Sequence, residues 1–196
     1  LPLTSGTANF TKYVALGNSL TAGYSDNALF IAGQKASYTN IMAQQFAKVG
    51  GGEFKIPFMS DNVGGFKVGG NVFAGARLAF NGAGPAPVAG TPSTEILTSI
   101  AAAGPYSNCG VPGAKSFHLL SPTYGSPAGI LAGTANPYYV RFAPPNGTTS
   151  VVAYAAAQAP TFFSLWIGNN DVLGYATTGG DGSNPITPSA GAAGVG

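Results

Sequence analysis

The chain has 196 residues, with eight Lys and Arg against six Asp and Glu, a net charge of +2, one Cys and one His. One Cys forms no internal disulfide framework, and one Cys with one His cannot close a structural zinc site. Cations this sparse form no stripe for phosphates, and no apolar run approaches the roughly 20 residues of a membrane-crossing helix, so neither nucleic acid nor a membrane span is expected.

The chain opens Leu1-Pro2-Leu3-Thr4-Ser5-Gly6, without an initiator Met, a basic stretch or an apolar signal core; any export signal is expected to be already removed. Residues 12–16 are a short apolar, β-prone run that stops at Gly17, as a buried strand meeting a turn does. Across 37–49, Tyr38, Ile41, Met42, Phe46 and Val49 recur at helical spacing, with Ser37 as N-cap and Gly50-Gly51-Gly52 as the stop. Residues 51–92 carry many Gly, Asn and Pro with scattered Phe, and are expected to form a long loop insertion. Residues 95–103 fit either a short helix or a strand approach.

Residues 106–113 look like a strand end breaking into a tight turn, followed by a short helix over 114–120. A second loop insertion is expected over 121–147, rich in Pro, Gly and Tyr. Val151, Val152, Ala155, Ala156 and Ala159 share a helical face that Pro160 ends, and residues 161–167 are an unbroken β-prone run stopping at Gly168. Residues 184–196 read as a loop in mid-course, so the chain is expected to be the N-terminal part of a larger protein.

Thirty Gly and fifteen Pro approach a disordered composition, but twelve Phe, nine Tyr and one Trp supply ample surface to bury. One domain over 1–196 is expected. The order of strands and helices is that of an α/β protein, and continuous apolar strands suggest a parallel sheet covered on both faces.

Three apolar runs end in Gly and small polar residues: Gly17-Asn18-Ser19-Leu20-Thr21-Ala22-Gly23-Tyr24, the stretch from Asn108 to Gly113, and Gly168-Asn169-Asn170-Asp171. In an open parallel sheet the carboxyl ends of the strands share one edge, where ligands bind. That edge would collect the Ser19 hydroxyl and backbone N–H, the Gly113 N–H and the Asn170 amide, which together can form an oxyanion hole. Each residue also fits a purely local role: Ser19 as a helix cap, Gly113 as a positive-φ position, Asn170 as a turn residue and Asp171 as a cap.

The first of these stretches resembles the opening block of the GDSL, or SGNH, hydrolase superfamily, Gly-Asp-Ser-Leu. Asn108 and Gly113 reproduce the second block, an Asn followed five residues later by Gly, and Gly168, Asn170 and Asp171 match the third, Gly-x-Asn-Asp. The resemblance covers about residues 10–175 and is most similar to exported, lipoprotein-type esterases of Gram-negative envelopes. It implies a flavodoxin-like parallel sheet with helices on both faces, incomplete here, and Ser19 as the nucleophile of a serine esterase or lipase. Ser19, Gly113 and Asn170 would be the catalytic residues, with no cofactor and no metal. The substrate implied is an acyl ester or lipid, and the location is the cell envelope, at the outer membrane or in an envelope complex, or outside the cell.

Two departures stand out. The family's Asp before the nucleophile is Asn18, and its Asp-x-x-His block is absent, since no His follows His118. The catalytic Asp and His are therefore expected beyond Gly196, and His118 is read as a surface or partly buried side chain. The alternative is a non-catalytic binding or scaffold subunit that keeps the fold and the cleft without a base. Cys109 is read as a buried small hydrophobe, and Trp166 with Phe162 and Phe163 as core. The loop aromatics Phe66, Phe73, Phe80, Tyr124, Tyr138 and Tyr139 would either line an acyl pocket or pin the loops down.

Overall fold

The computed structural model describes residues 3–183; the expected loop over 184–196 lies outside them. Tyr13–Gly17 forms β1, buried at every position. Its Tyr13 and Ala15 face Ala43, Phe46, Phe54 and Phe162, while Val14 and Leu16 face Val111, Tyr139, Phe142, Val151 and Tyr154. Covered on both sides, the strand has no polar face to alternate with.

A single helical turn, α1 (Ser19–Ala22), follows directly, then α2 (Ile31–Lys35) and α3 (Tyr38–Ala47). Helix α3 begins where expected, with the Ser37 hydroxyl accepting from Asn40 N at 3.3 Å. The 51–92 segment is not all loop. It contains two antiparallel hairpins, β2 (Phe66–Val68) with β3 (Asn71–Ala74) and β4 (Leu78–Phe80) with β5 (Pro85–Pro87). Strands of three or four residues are too short to show a period of two, which is why the sequence hides them.

Residues 95–103 resolve into a 3₁₀ turn at Ala101–Ala103 and one parallel bridge from Glu95 to Lys67. The strand end expected over 106–113 is β6 (Asn108–Gly110), and the short helix after it is a 3₁₀ turn, Ser116–Leu120. The second expected loop, 121–147, also holds a helix, α4 (Pro137–Phe142). Pro137 stands at its first position, and the Asn136 carboxamide accepts from Tyr138 N at 3.0 Å, so a capped start lies inside a Pro-rich stretch.

Helix α5 (Val151–Ala156) buries Val151, Tyr154 and Ala155, and leaves Val152 and Ala156 exposed. Of the expected face, Val151 and Ala155 point inward, whereas Val152, Ala156 and Ala159 are exposed, so the inward face is rotated towards Tyr154. Ala159 leaves the helical region with φ +49°. The chain closes with β7 (Phe162–Trp166) and α6 (Asn169–Thr177).

The fold is α/β: β6, β1 and β7 form a three-stranded, wholly parallel sheet in that order. Gly17 is in register with Gly110 on one side and Trp166 on the other, so the three carboxyl ends are level. The expectation of full cover fails at β7. Phe162 packs on Phe10 and Phe46, with ring centroids 5.0 and 5.3 Å away. In contrast, Phe163 is 60% exposed, Leu165 55% and Trp166 50%. The reason is position: among the described residues β7 pairs with β1 alone and forms one edge of the sheet.

A β-carbon on Gly110 would overlap the Ala22 backbone, because α1 lies directly on the end of β6. Gly110→Ala is expected to cost roughly 3 kcal/mol, read as a fall in thermal or denaturant midpoint. An unchanged midpoint would show that α1 does not hold this contact. Burial also pushes the Cys109 thiol from 9.0, and the Tyr13 and Tyr154 hydroxyls from 10.0, each up to about 12. Between those values the folded chain retains protons that the unfolded chain has lost. Stability from these groups is therefore full below pH 9 and lost as pH rises towards 12, testable by urea unfolding across that range.

Candidate active site

The turn after β1 is fixed by Asn18, which is fully buried. Its Oδ1 accepts from Leu20 N at 3.2 Å and caps α1, and its Nδ2 donates to Asn169 Oδ1 at the start of α6. The cap is therefore Asn18 and not Ser19. Ser19 is the first residue of α1, half-buried, and its Oγ has no hydrogen-bond partner among the described residues. Its N–H, at the first helical position, has no intrahelical acceptor. Behind it, the Ser19 carbonyl accepts from Gly23 N at 3.1 Å and Tyr24 N at 2.9 Å, so the backbone at the hydroxyl is held from one side only.

Gly113 is exposed and adopts φ +83°, a conformation that L side chains rarely take. Space does not demand glycine there, since an added β-carbon would meet only Asn136 Nδ2 at 4.0 Å; the backbone angle does. Its N–H has no acceptor among the described residues. The loop is held on both sides of that N–H. Asn136 Nδ2 donates to Pro112 O at 2.8 Å, and Asn170 Nδ2 donates to Ala114 O at 2.9 Å. Asp171, buried, accepts from Ser116 N at 2.9 and 3.1 Å and from the Ser116 hydroxyl.

The segments that carry Ser19, Gly113 and Asn170 thus meet at the same edge of the sheet, joined to one another through neighbouring residues. Val111 N donates to Gly17 O at 2.9 Å, Asn18 bonds Asn169, and Asn170 bonds Ala114. Asn170 spends one amide proton on Ala114 and keeps the other unspent. Asn108, the first residue of the second motif, points inward and not to this edge: it is 1% exposed and donates to Thr21 O.

His118 and Cys109 take the places expected of them. His118 is half-buried, its Nδ1 accepts from Lys115 N at 3.0 Å, and its ring stacks on Tyr124 at 4.8 Å, so it braces the 3₁₀ turn. Cys109 is fully buried, with a thiol that burial holds protonated. Among the loop aromatics, Phe66, Tyr124 and Tyr139 are buried and pin the loops, while Phe73 and Phe80 are exposed. Sequence reasoning missed Asn136, although the Asn136-Pro137 pair signals a capped helix start. It also missed the Asp171–Ser116 and Asn18–Asn169 bonds, which no local pattern announces.

Among the described residues, no group of three or more His, Cys, Asp and Glu is placed to hold a metal, and no helix is long and apolar enough to cross a membrane. No family model matches the chain, and neither the curated proteins nor the solved structures contain a match.

Asp171→Ala removes the acceptor for the Ser116 N–H and hydroxyl. It is expected to cost about 1–3 kcal/mol and to speed amide exchange over residues 114–116, with Asp171→Asn costing less because it keeps one acceptor. Equal stability and exchange in all three proteins would show that the clamp carries no energy.

Proposed function

We propose that the protein is a serine ester hydrolase of the GDSL/SGNH type, with Ser19 as nucleophile. The observation that carries this reading is a hydroxyl without a partner at one sheet edge, accompanied by three unspent donors: Ser19 N–H, Gly113 N–H and one Asn170 amide proton. Donors prepaid in this way cost no reorganisation when negative charge develops on a carbonyl oxygen.

In this mechanism Ser19 Oγ attacks an ester carbonyl while a general base takes its proton. The tetrahedral oxyanion accepts from the three donors. It collapses by expelling the alcohol, which receives the proton, and water then attacks the acyl-enzyme to release a carboxylic acid and restore Ser19. The base is not His118, whose Nδ1 is already an acceptor for Lys115 N. The reading requires an Asp and His supplied from outside these 196 residues, as the family resemblance implies. Low charge and abundant apolar residues favour acyl esters, lipids among them, as substrates, and export to the cell envelope follows from the same resemblance.

The second reading is a binding or scaffold subunit without turnover. It is favoured by one observation, the engagement of the only His in a structural bond. Esterase assays on the full-length natural protein separate the two. Ser19→Ala is expected to lower kcat by about 10³-fold or more, and Asn170→Ala by about 10²-fold, each with little change in KM. Turnover that survives Ser19→Ala would refute the hydrolase assignment, and no turnover in the unaltered protein would favour the scaffold.

A further inference from the structure

Arg141, in the last turn of α4, is 7% exposed. Its Nη1 donates to Pro57 O at 3.4 Å and lies 4.0 Å from Met59 Sδ, two long contacts for a group with five N–H donors. No carboxylate among the described residues pairs with it, although a buried guanidinium is ordinarily matched by one. Nor are the remaining nitrogens sealed. Among the described residues only Ser121 Oγ and Gln158 Oε1 are enclosed without a partner, so the unspent Arg141 donors reach accessible space.

Two spaces adjoin the residue. One is a void of about 10 Å³ beside Gln34, Pro57 and Met59, enough for a single water. The other is a cleft of about 190 Å³, lined with Arg141 by Ser60, Ser93, Glu95, Thr98 and Ile100. The Ser60 and Thr98 hydroxyls make no hydrogen bond to any described residue, whereas the Ser93 hydroxyl is given to Asp61. The Glu95 carboxylate is turned to backbone, accepting from Gly69, Gly70 and Leu97 N at 3.1, 2.8 and 3.1 Å.

We propose that this cleft is a binding site for a small carboxylate, held by the Arg141 guanidinium and completed by the Ser60 and Thr98 hydroxyls. The planar fork of Arg matches two carboxylate oxygens, and the spare hydroxyls supply the remaining donors. Glu95 on the lining repels a second negative charge, which selects a singly charged anion over a phosphate dianion. Burial lowers the Arg141 pKa from its ordinary value, as expected of a cation without a counterion. The inference does not rest on the assignment of Ser19, because it concerns a different cleft and is read by binding alone.

The test is the thermal midpoint of the full-length protein titrated with sodium acetate, sodium phosphate at pH 8 or sodium chloride at constant ionic strength. Acetate is expected to raise the midpoint saturably, by about 5–10 °C at a hundredfold excess over Kd, with phosphate weaker and chloride without effect. Arg141→Met is expected to fold and to lose the acetate response. Ser60→Ala with Thr98→Ala, both at exposed positions, is expected to weaken acetate binding about tenfold, and Glu95→Gln to narrow the gap between acetate and phosphate. Identical midpoints in the three salts, or an acetate response that persists in Arg141→Met, would overturn the proposal. Should Arg141→Met not fold, the double variant decides: weakened binding supports the site and unchanged binding refutes it.

Discussion

The Asn108 carboxamide, 1% exposed, makes three hydrogen bonds in the interior: Nδ2 to Thr21 O at 2.9 Å and to Thr39 Oγ1 at 3.1 Å, and Oδ1 from Gly110 N at 2.9 Å. Thr39 Oγ1 in turn donates to Thr21 O at 3.2 Å, and Thr21 Oγ1 shares a hydrogen bond with Tyr38 OH at 3.0 Å. One buried side chain thereby ties the start of β6 to α1 and to the start of α3. Satisfied polar groups in a low-dielectric interior specify a single arrangement, because any shift leaves a desolvated donor or acceptor unmade. The arrangement specified here is the position of Ser19 relative to the sheet.

Glycine makes this closeness geometrically available. A side chain at Gly17 would overlap the Thr21 side chain and the Trp166 carbonyl, and one at Gly110 would overlap the α1 backbone at Ala22, so α1 meets the end of β6 backbone to backbone. The polar network supplies specificity, and the glycines supply the approach. From the other side, α6 extends two consecutive residues to the Gly113 loop, Asn170 to Ala114 O and Asp171 to Ser116. The edge that presents unspent donors is consequently held by bonds that themselves are spent, which is how a donor set stays open without collapsing onto its neighbours.

The parts that sequence revealed share a physical cause. β1 is visible as a continuous apolar run and α3 as a period with Ser37 at its start, because burial on two faces or one leaves a compositional trace, and β7 is visible by its β-prone run alone. The hairpins of 51–92 left none, since Phe66–Val68 and Leu78–Phe80 are three residues each. The α5 face is legible only in part, at Val151 and Ala155, because alanine fits both sides of a helix and Tyr154 rather than Val152 turns inward. Phe163, Leu165 and Trp166 look like core in sequence, and only their place on an edge strand leaves them exposed. The site residues were legible as strand ends, whereas the clamps that hold them were not: Asn18 and Asn169 lie 151 positions apart, Asp171 and Ser116 lie 55 apart.

On the proposed function, Ser19 is a nucleophile whose hydroxyl lies at the same sheet edge as the oxyanion donors. The most direct measurement is treatment of the full-length natural protein with a fluorophosphonate, followed by intact mass and peptide mapping. A single adduct on Ser19 is expected, because that reagent needs a serine hydroxyl whose proton a base can take during attack and donors able to hold its phosphoryl oxygen. An unmodified protein, or an adduct on any other serine with Ser19 untouched, would contradict it.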